Sequence, residues 1–280
     1  MRFCLFFSTF IVLTLFSTLF LPLIPDSHAS DIRKEQRMAE QLTEQLVIGE
    51  AVNITAGSLS FFALYTPAEG KTQRGGVILL HGQGAHPDWP DVISPLRKDL
   101  PDSGWATLAI QLPVWPNGTN FTDYLPLFPA ANVRIDAAVR YLQKQGLLNI
   151  TLVGHSLGAA MGAHYLAQQP PGSDAIRAFV GVGMGSAPGT VAHTPDALAK
   201  INIPVLDLYG FQDLDNVLNS AKARAQAAQK ANNTAYRQIK VTGADHFFRA
   251  LEATLTKRIA GWLTLTAPST QMTKKPIAKP

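Results

Sequence analysis

From residue 76 onward, short apolar blocks alternate with longer stretches in which apolar residues recur every three or four positions. The blocks cover residues 77–80, 106–111, 150–153, 178–182, 205–209 and 236–241. They are apolar on both faces, which suits strands covered above and below by helices, so the pattern predicts an α/β fold with a mostly parallel central sheet. Helical periodicity marks residues 132–145, 157–168, 217–231 and 251–263, the last with Leu251, Leu255, Ile259 and Leu263 on one stripe. Ahead of this core, residues 31–46 read as a polar helix. Residues 47–53 and 58–65 read as an edge hairpin around Ala56-Gly57.

Composition agrees with one folded body: of 280 residues 46% are hydrophobic and 16% charged, and no segment repeats at a fixed period. The net charge of +4 does not imply a nucleic-acid partner, because Lys274, Lys275 and Lys279 carry three of those units in a Pro- and Thr-containing tail. Residues 3–24 form an apolar run behind Arg2, and Ser27 and Ala29 stand where a leader peptidase reads small residues. The chain therefore divides into a leader (1–29), an N-terminal extension with an edge strand (30–57), a main domain (58–265) and a basic tail (266–280). Export to a bacterial periplasm or secretion follows. The alternative is a membrane anchor at 3–24, since that run can cross a bilayer core of about 30 Å. Cys4 is the only cysteine and lies in the leader, which excludes disulfides, thiolate metal sites and a cysteine nucleophile from the processed chain.

The strongest chemical signal is Gly154-His155-Ser156-Leu157-Gly158, which follows one predicted strand directly and opens an Ala/Gly-rich helix. A reversal from strand to helix in so few residues strains the serine backbone and lifts its hydroxyl above the sheet, at a helix N-terminus that favours negative charge. An acid, Asp213, stands just past the strand at 205–209, with Asp215 behind it, and His246 stands just past the strand at 236–241. In a parallel sheet such strand ends share one edge, so these residues can converge on Ser156. His155, His164, His193, His81 and His86 lie on other elements or beside the serine, and Asp207 sits inside a strand, where a hydrogen-bonded buried role suits it better.

On these residues the chain resembles the α/β-hydrolase superfamily from about Ser58 to Leu265. The string His81 to Pro90, HGQGAHPDWP, is also similar to a group of uncharacterised exported bacterial members. In that superfamily the acid commonly stands three residues past a strand-terminal glycine, which selects Asp213 over Asp215. The resemblance also implies an oxyanion hole made by the backbone amides of Gln83 and Leu157.

The implied reaction is acyl transfer to water by Ser156, His246 and Asp213, acting on a small-molecule ester or related acyl compound. No metal or organic cofactor is implied, since metalloprotease, Walker and dinucleotide glycine strings are missing. Residues 183–204 are too few for a multi-helix cap, so the site is expected to be open. The segment 111–130 carries Trp115, Phe121 and Tyr124, which are expected to line an apolar pocket. A non-catalytic binding protein of the cell envelope, and an amidase or acyltransferase using the same residues, are the alternatives.

Overall fold

The structure is a computed structural model that describes residues 30–70 and 72–268. The expected leader or anchor and most of the expected basic tail lie outside the described residues. Among the described residues, no helix is long and apolar enough to cross a membrane.

The chain opens with helix α1 (Ile32–Glu44) and the hairpin β1 (Glu50–Ala56) and β2 (Leu59–Thr66). Strand β3 (Gly75–Leu80), helix α2 (Ile93–Asp99), strand β4 (Trp105–Ile110) and helix α3 (Phe128–Lys144) follow. Next come β5 (Ile150–His155), α4 (Leu157–Ala167), β6 (Ala178–Val182) and α5 (Thr194–Leu198). The described chain closes with β7 (Val205–Gln212), α6 (Asp215–Lys230), β8 (Tyr236–Asp245) and α7 (Glu252–Thr266).

These strands form one sheet of eight in the order β1-β2-β4-β3-β5-β6-β7-β8. The pairs β1/β2 and β2/β4 are antiparallel and all the others parallel. Because β3 lies between β4 and β5, strand order reverses there, and loops leaving β3 and β5 open the crevice where sheets of this kind bind ligands.

Alternation along each strand feeds two cores. Ile78, Leu80, Leu108, Ile110 and Leu152 face the layer of α3, α4 and α5. Val77, Leu79, Val153, Val180 and Val182 face the layer of α2 and α7. Both side-chain sets of β3 are therefore out of water, which is why it reads as an unbroken apolar block.

Three departures from expectation have local causes. The first strand starts at Glu50 rather than 47, because Gly49 takes φ +87° and leaves Val47 fully outside the ladder and exposed. Helices α2 and α5 are short, and each carries a proline near its start, so neither shows helical periodicity. Strand β8 runs on to Asp245, past the expected end, because Gln212 of β7 pairs with Asp245 across an irregularity at Gly210/Gln212. That pairing brings the segment after β8 beside the segment after β7.

Asp207, inside β7, has the buried structural role expected of it. Its carboxylate accepts from Arg224 Nε at 2.7 Å, Tyr236 Oη at 2.6 Å and Gln238 Nε2 at 2.8 Å. A fully buried ion pair is held at small net cost only when its remaining hydrogen-bonding capacity is met, and here it pins α6 to the sheet.

Candidate active site

Ser156 sits between β5 and α4 with φ 54° and ψ −118°, a conformation most side chains avoid. Its amide donates to Val182 O at 2.8 Å, and its carbonyl accepts from the amides of Ala159 and Ala160 at 3.1 and 3.2 Å. The turn needs glycine at 158: a Cβ there would lie 2.4 Å from His81 O. With none, the start of α4 closes onto the loop that follows β3.

His246 follows β8 and is buried, and its Nδ1 stands 2.5 Å from Asp213 Oδ1. The carboxylate is held in turn by the Gly210 amide on Oδ2 at 3.0 Å and the Leu214 amide on Oδ1 at 2.8 Å. Burial works to raise the Asp213 pKa, but the bonds from His246 and the two amides outweigh it and hold the carboxyl below the usual carboxylate range. Asp215 is exposed on the first turn of α6. Asp245 spends Oδ1 on the amides of Phe247 and Arg249 at 3.0 and 3.2 Å.

Ser156 and His246 each lie against the end of β6, on adjacent residues. The serine amide is bonded to Val182 O. The imidazole lies against the next residue, Gly183, where a Cβ would sit 2.9 Å from His246 Cε1 and Nδ1. Among the described residues, no hydrogen bond joins the Ser156 hydroxyl to His246. The two groups share a rim without being locked together, as is common before substrate binds.

Gly183 is a site residue that sequence reading missed. Its φ of +56° favours glycine, and its contact with the imidazole leaves no room for a Cβ. Gly183→Ala is expected to displace the ring, lowering kcat about 100-fold on any substrate the site turns over. The same change should cost about 1–2 kcal/mol of stability through backbone strain. Steady-state kinetics and urea melts check both, and a wild-type kcat would show that the ring needs no such clearance.

His155 supports its neighbour across the sheet edge. A carbonyl only accepts, so His155 Nε2 carries the proton of the 3.0 Å bond to His246 O, and the two rings lie 4.9 Å apart. Burial, reinforced by the His246 charge, lowers the His155 pKa to about 4 and keeps it neutral. Phe248, almost fully buried at φ 54°, anchors the loop just after His246.

The loop after β3 packs on the serine turn: a Gly82 Cβ would lie 3.4 Å from Ser156 Cβ. His81 fixes it. Its Nε2 accepts from the Leu112 amide at 2.9 Å, so Nδ1 carries the proton and donates to Gly82 O at 2.8 Å. Among the described residues, the backbone amides of Gln83 and Leu157 donate to nothing within the protein. The Gln83 side chain reaches Thr119 O at 2.5 Å. The rest of the HGQGAHPDWP string is structural: Asp88 binds the buried Arg97 at 3.0 Å, and Trp89 packs against His86.

The aromatic segment is smaller than expected. Trp115 is half-buried, with Nε1 donating to Asp123 O at 2.9 Å. Phe121 is half-buried and faces Gly185, its ring 3.7 Å from where a Cβ would stand. Tyr124 is not a pocket wall: it is 1% exposed, and its hydroxyl accepts from the Trp115 amide at 3.2 Å. The 3₁₀ turn Phe121–Leu127 rolls it into the core beside Leu127 and Phe128. Two apolar side chains that sequence reading did not assign flank Asp213 instead, Phe211 at 56% and Leu214 at 50% exposure.

A family model described as "Protein of unknown function (DUF3530)" matches residues 25–123 and 130–265. Among curated proteins, no match is found. Among solved structures, dienelactone hydrolase from Anabaena variabilis superposes with a TM-score of 0.61 at 20% identity, over 78% of this chain and 97% of that one. Est1E from Butyrivibrio proteoclasticus gives 0.59 at 18% identity, over 77% of this chain and 98% of its own. The 2,6-dihydroxy-pseudo-oxynicotine hydrolase gives 0.63 at 17%, over 83% and 72%. The architecture is the α/β-hydrolase fold, a mostly parallel sheet with helices on both faces.

Proposed function

Because the chain belongs to the DUF3530 family of unknown function, its chemistry has to come from its own site, and we propose that it is a serine hydrolase acting on a carboxylic ester or related acyl compound. The observation that carries this reading is the Asp213–His246 bond of 2.5 Å, which holds an imidazole on the same sheet edge as the strained Ser156 turn.

In this mechanism His246 Nε2 takes the hydroxyl proton as Ser156 Oγ bonds to the acyl carbon. The carbonyl π electrons move to oxygen, and the anion rests between the amides of Gln83 and Leu157. Collapse breaks the bond to the leaving alkoxide, which receives the proton from His246. Water, deprotonated by the same imidazole, then attacks the acyl-enzyme and frees the acid and the serine. Asp213 holds Nδ1–H throughout, so that Nε2 faces the reaction. Every proton and electron pair is handled by groups of this chain.

Only α5 interrupts the connection from β6 to β7, so the site is uncapped from that side. Phe121, beside Gly185, and Leu214, next to Asp213, offer apolar surface suited to an aromatic or alkyl acyl group, while the Phe211 ring is covered by the Lys240 ammonium at 4.9 Å. The neighbours' names, a dienelactone hydrolase and Est1E, the latter also solved with ferulic acid bound, support a small acyl substrate in this reading. The same proposal takes residues 1–29 as an export leader, with a membrane anchor at 3–24 as the alternative.

The test is a fluorophosphonate probe followed by peptide mapping, together with p-nitrophenyl esters of short and long acids, thioesters and amides. Label confined to Ser156 and turnover of at least one ester class are expected. An unlabelled, inert protein with native circular dichroism would overturn the reading in favour of a binding role for the fold.

A further inference from the structure

The mechanism leaves unused a cluster of buried charges at the start of α1. Lys34 is 8% exposed, Glu35 7% and Arg134 5%. A lysine in the first turn of a helix is opposed by the macrodipole, and its burial removes water as well. Local preference therefore argues against Lys34 where it stands, and such conflicts concentrate at functional positions.

The contacts show what the cluster holds. Lys34 Nζ donates to Trp115 O at 3.0 Å and Asn117 Oδ1 at 2.8 Å. The Ser30 hydroxyl donates to Glu35 and accepts from the Val114 amide at 2.7 Å, while the Asp31 amide donates to Val114 O at 2.8 Å. Arg134 holds Glu35 at 2.9 and 3.1 Å and donates to Gln111 O at 2.9 Å. Ser30, Asp31, the first turn of α1 and its Arg134 partner thus grip the chain at four residues, 111, 114, 115 and 117.

That chain is the support of the loop after β3. The amide of Leu112 and the side chain of Gln111 meet His81, and Thr119 O takes the Gln83 side chain. Lys34 also lies near the loop itself: a Cβ at Gly84, the residue after Gln83, would stand 3.8 Å from Tyr124 Oη and 3.9 Å from the Lys34 ammonium. Burial is the main reason His81 is neutral, its pKa lowered to about 3, and the charges of Arg134 and Lys34 act on it in the same direction.

Resting on the hydrolase reading, we propose that Lys34 is a positioning residue of the oxyanion hole. Its ammonium braces the turn at Gln83 and Gly84 from behind and sets a fixed positive charge near the anion formed in the transition state. The ammonium does not touch substrate. Its bonds to Trp115 O and Asn117 Oδ1 keep it in place, so no reorganisation accompanies the reaction.

The experiment compares Lys34→Met and Asn117→Leu with wild type by kcat, KM, affinity for phenylboronic acid and melting temperature, with active sites counted by fluorophosphonate. Phenylboronic acid is the probe because it forms a tetrahedral anion on the serine. Lys34→Met is expected to lower kcat about 10- to 100-fold per active site, to weaken phenylboronic acid by a similar factor, and to leave KM within about twofold. Asn117→Leu, which loosens the anchor and keeps the charge, should move both readouts the same way by a smaller factor. If Lys34→Met does not fold, Asn117→Leu carries the test. A kcat per active site and a boronate affinity within about threefold of wild type in the folded variants would overturn the proposal and leave the hydrolase reading intact. A wild type without label or turnover would overturn both.

Discussion

Ser156→Ala is expected to lower kcat on the best ester about 10⁶-fold and to abolish fluorophosphonate labelling, with the fold unchanged. The size follows from the unit Ser156 belongs to: without the attacking oxygen, the Asp213–His246 pair has no proton to take and only the oxyanion amides still act. A companion substitution separates chemistry from strain. At φ 54° and ψ −118° the serine backbone holds about 1–3 kcal/mol. Glycine releases it, less the roughly 0.5–1 kcal/mol that its freer unfolded chain takes back. Ser156→Gly should therefore be as inactive as the alanine variant yet more stable than wild type by about 0.5–2 kcal/mol in urea melts. Turnover surviving in Ser156→Ala would mean that another nucleophile is at work. A glycine variant less stable than wild type would mean that the turn is not strained.

How far the sequence showed these features depended on whether their causes were local. Strands such as β3 and β5 were legible because burial on both faces leaves an apolar block that no solvated segment carries. Ser156 was legible because its turn demands glycine on either side, and Asp213 and His246 because each follows directly on a strand. What was hidden depends on packing between distant segments. The string GVGMG at 181–185 gave no sign that Gly183 clears space for an imidazole from residue 246. Residues 31–46 read only as a polar helix, with no sign of the buried pair, because Glu35 meets its partner, Arg134, only through tertiary structure. Tyr124 was misplaced for the same reason: an aromatic in a loop reads equally as pocket wall or core, and the inward roll of the Phe121–Leu127 turn decides between them.

Asp213→Asn should lower kcat about 10⁴-fold, and the hydrogen-bond geometry says why. Both carboxylate oxygens are committed: Oδ1 accepts from His246 Nδ1–H and the Leu214 amide, and Oδ2 from the Gly210 amide. An asparagine has one oxygen. If its NH₂ turns to the imidazole it donates to Nδ1, the ring proton moves to Nε2, and the nitrogen facing Ser156 can no longer take a proton. If the NH₂ turns to Gly210 instead, it meets that amide donor to donor, as it meets the Leu214 amide in the first orientation, so either way two buried donors face each other, at about 1–3 kcal/mol. With the NH₂ on Gly210 the imidazole keeps its orientation but loses the negative charge that stabilises its protonated form. Stability carries a second signature. The Asp213 pKa is depressed in the folded state, so its contribution is fully present above the unfolded carboxylate range and lost as pH falls through the lower folded value. The stability gap between wild type and Asp213→Asn should accordingly close in acid. Urea melts across that range measure it. A variant within about tenfold of wild-type kcat would show that Asp213 does not serve the imidazole in catalysis.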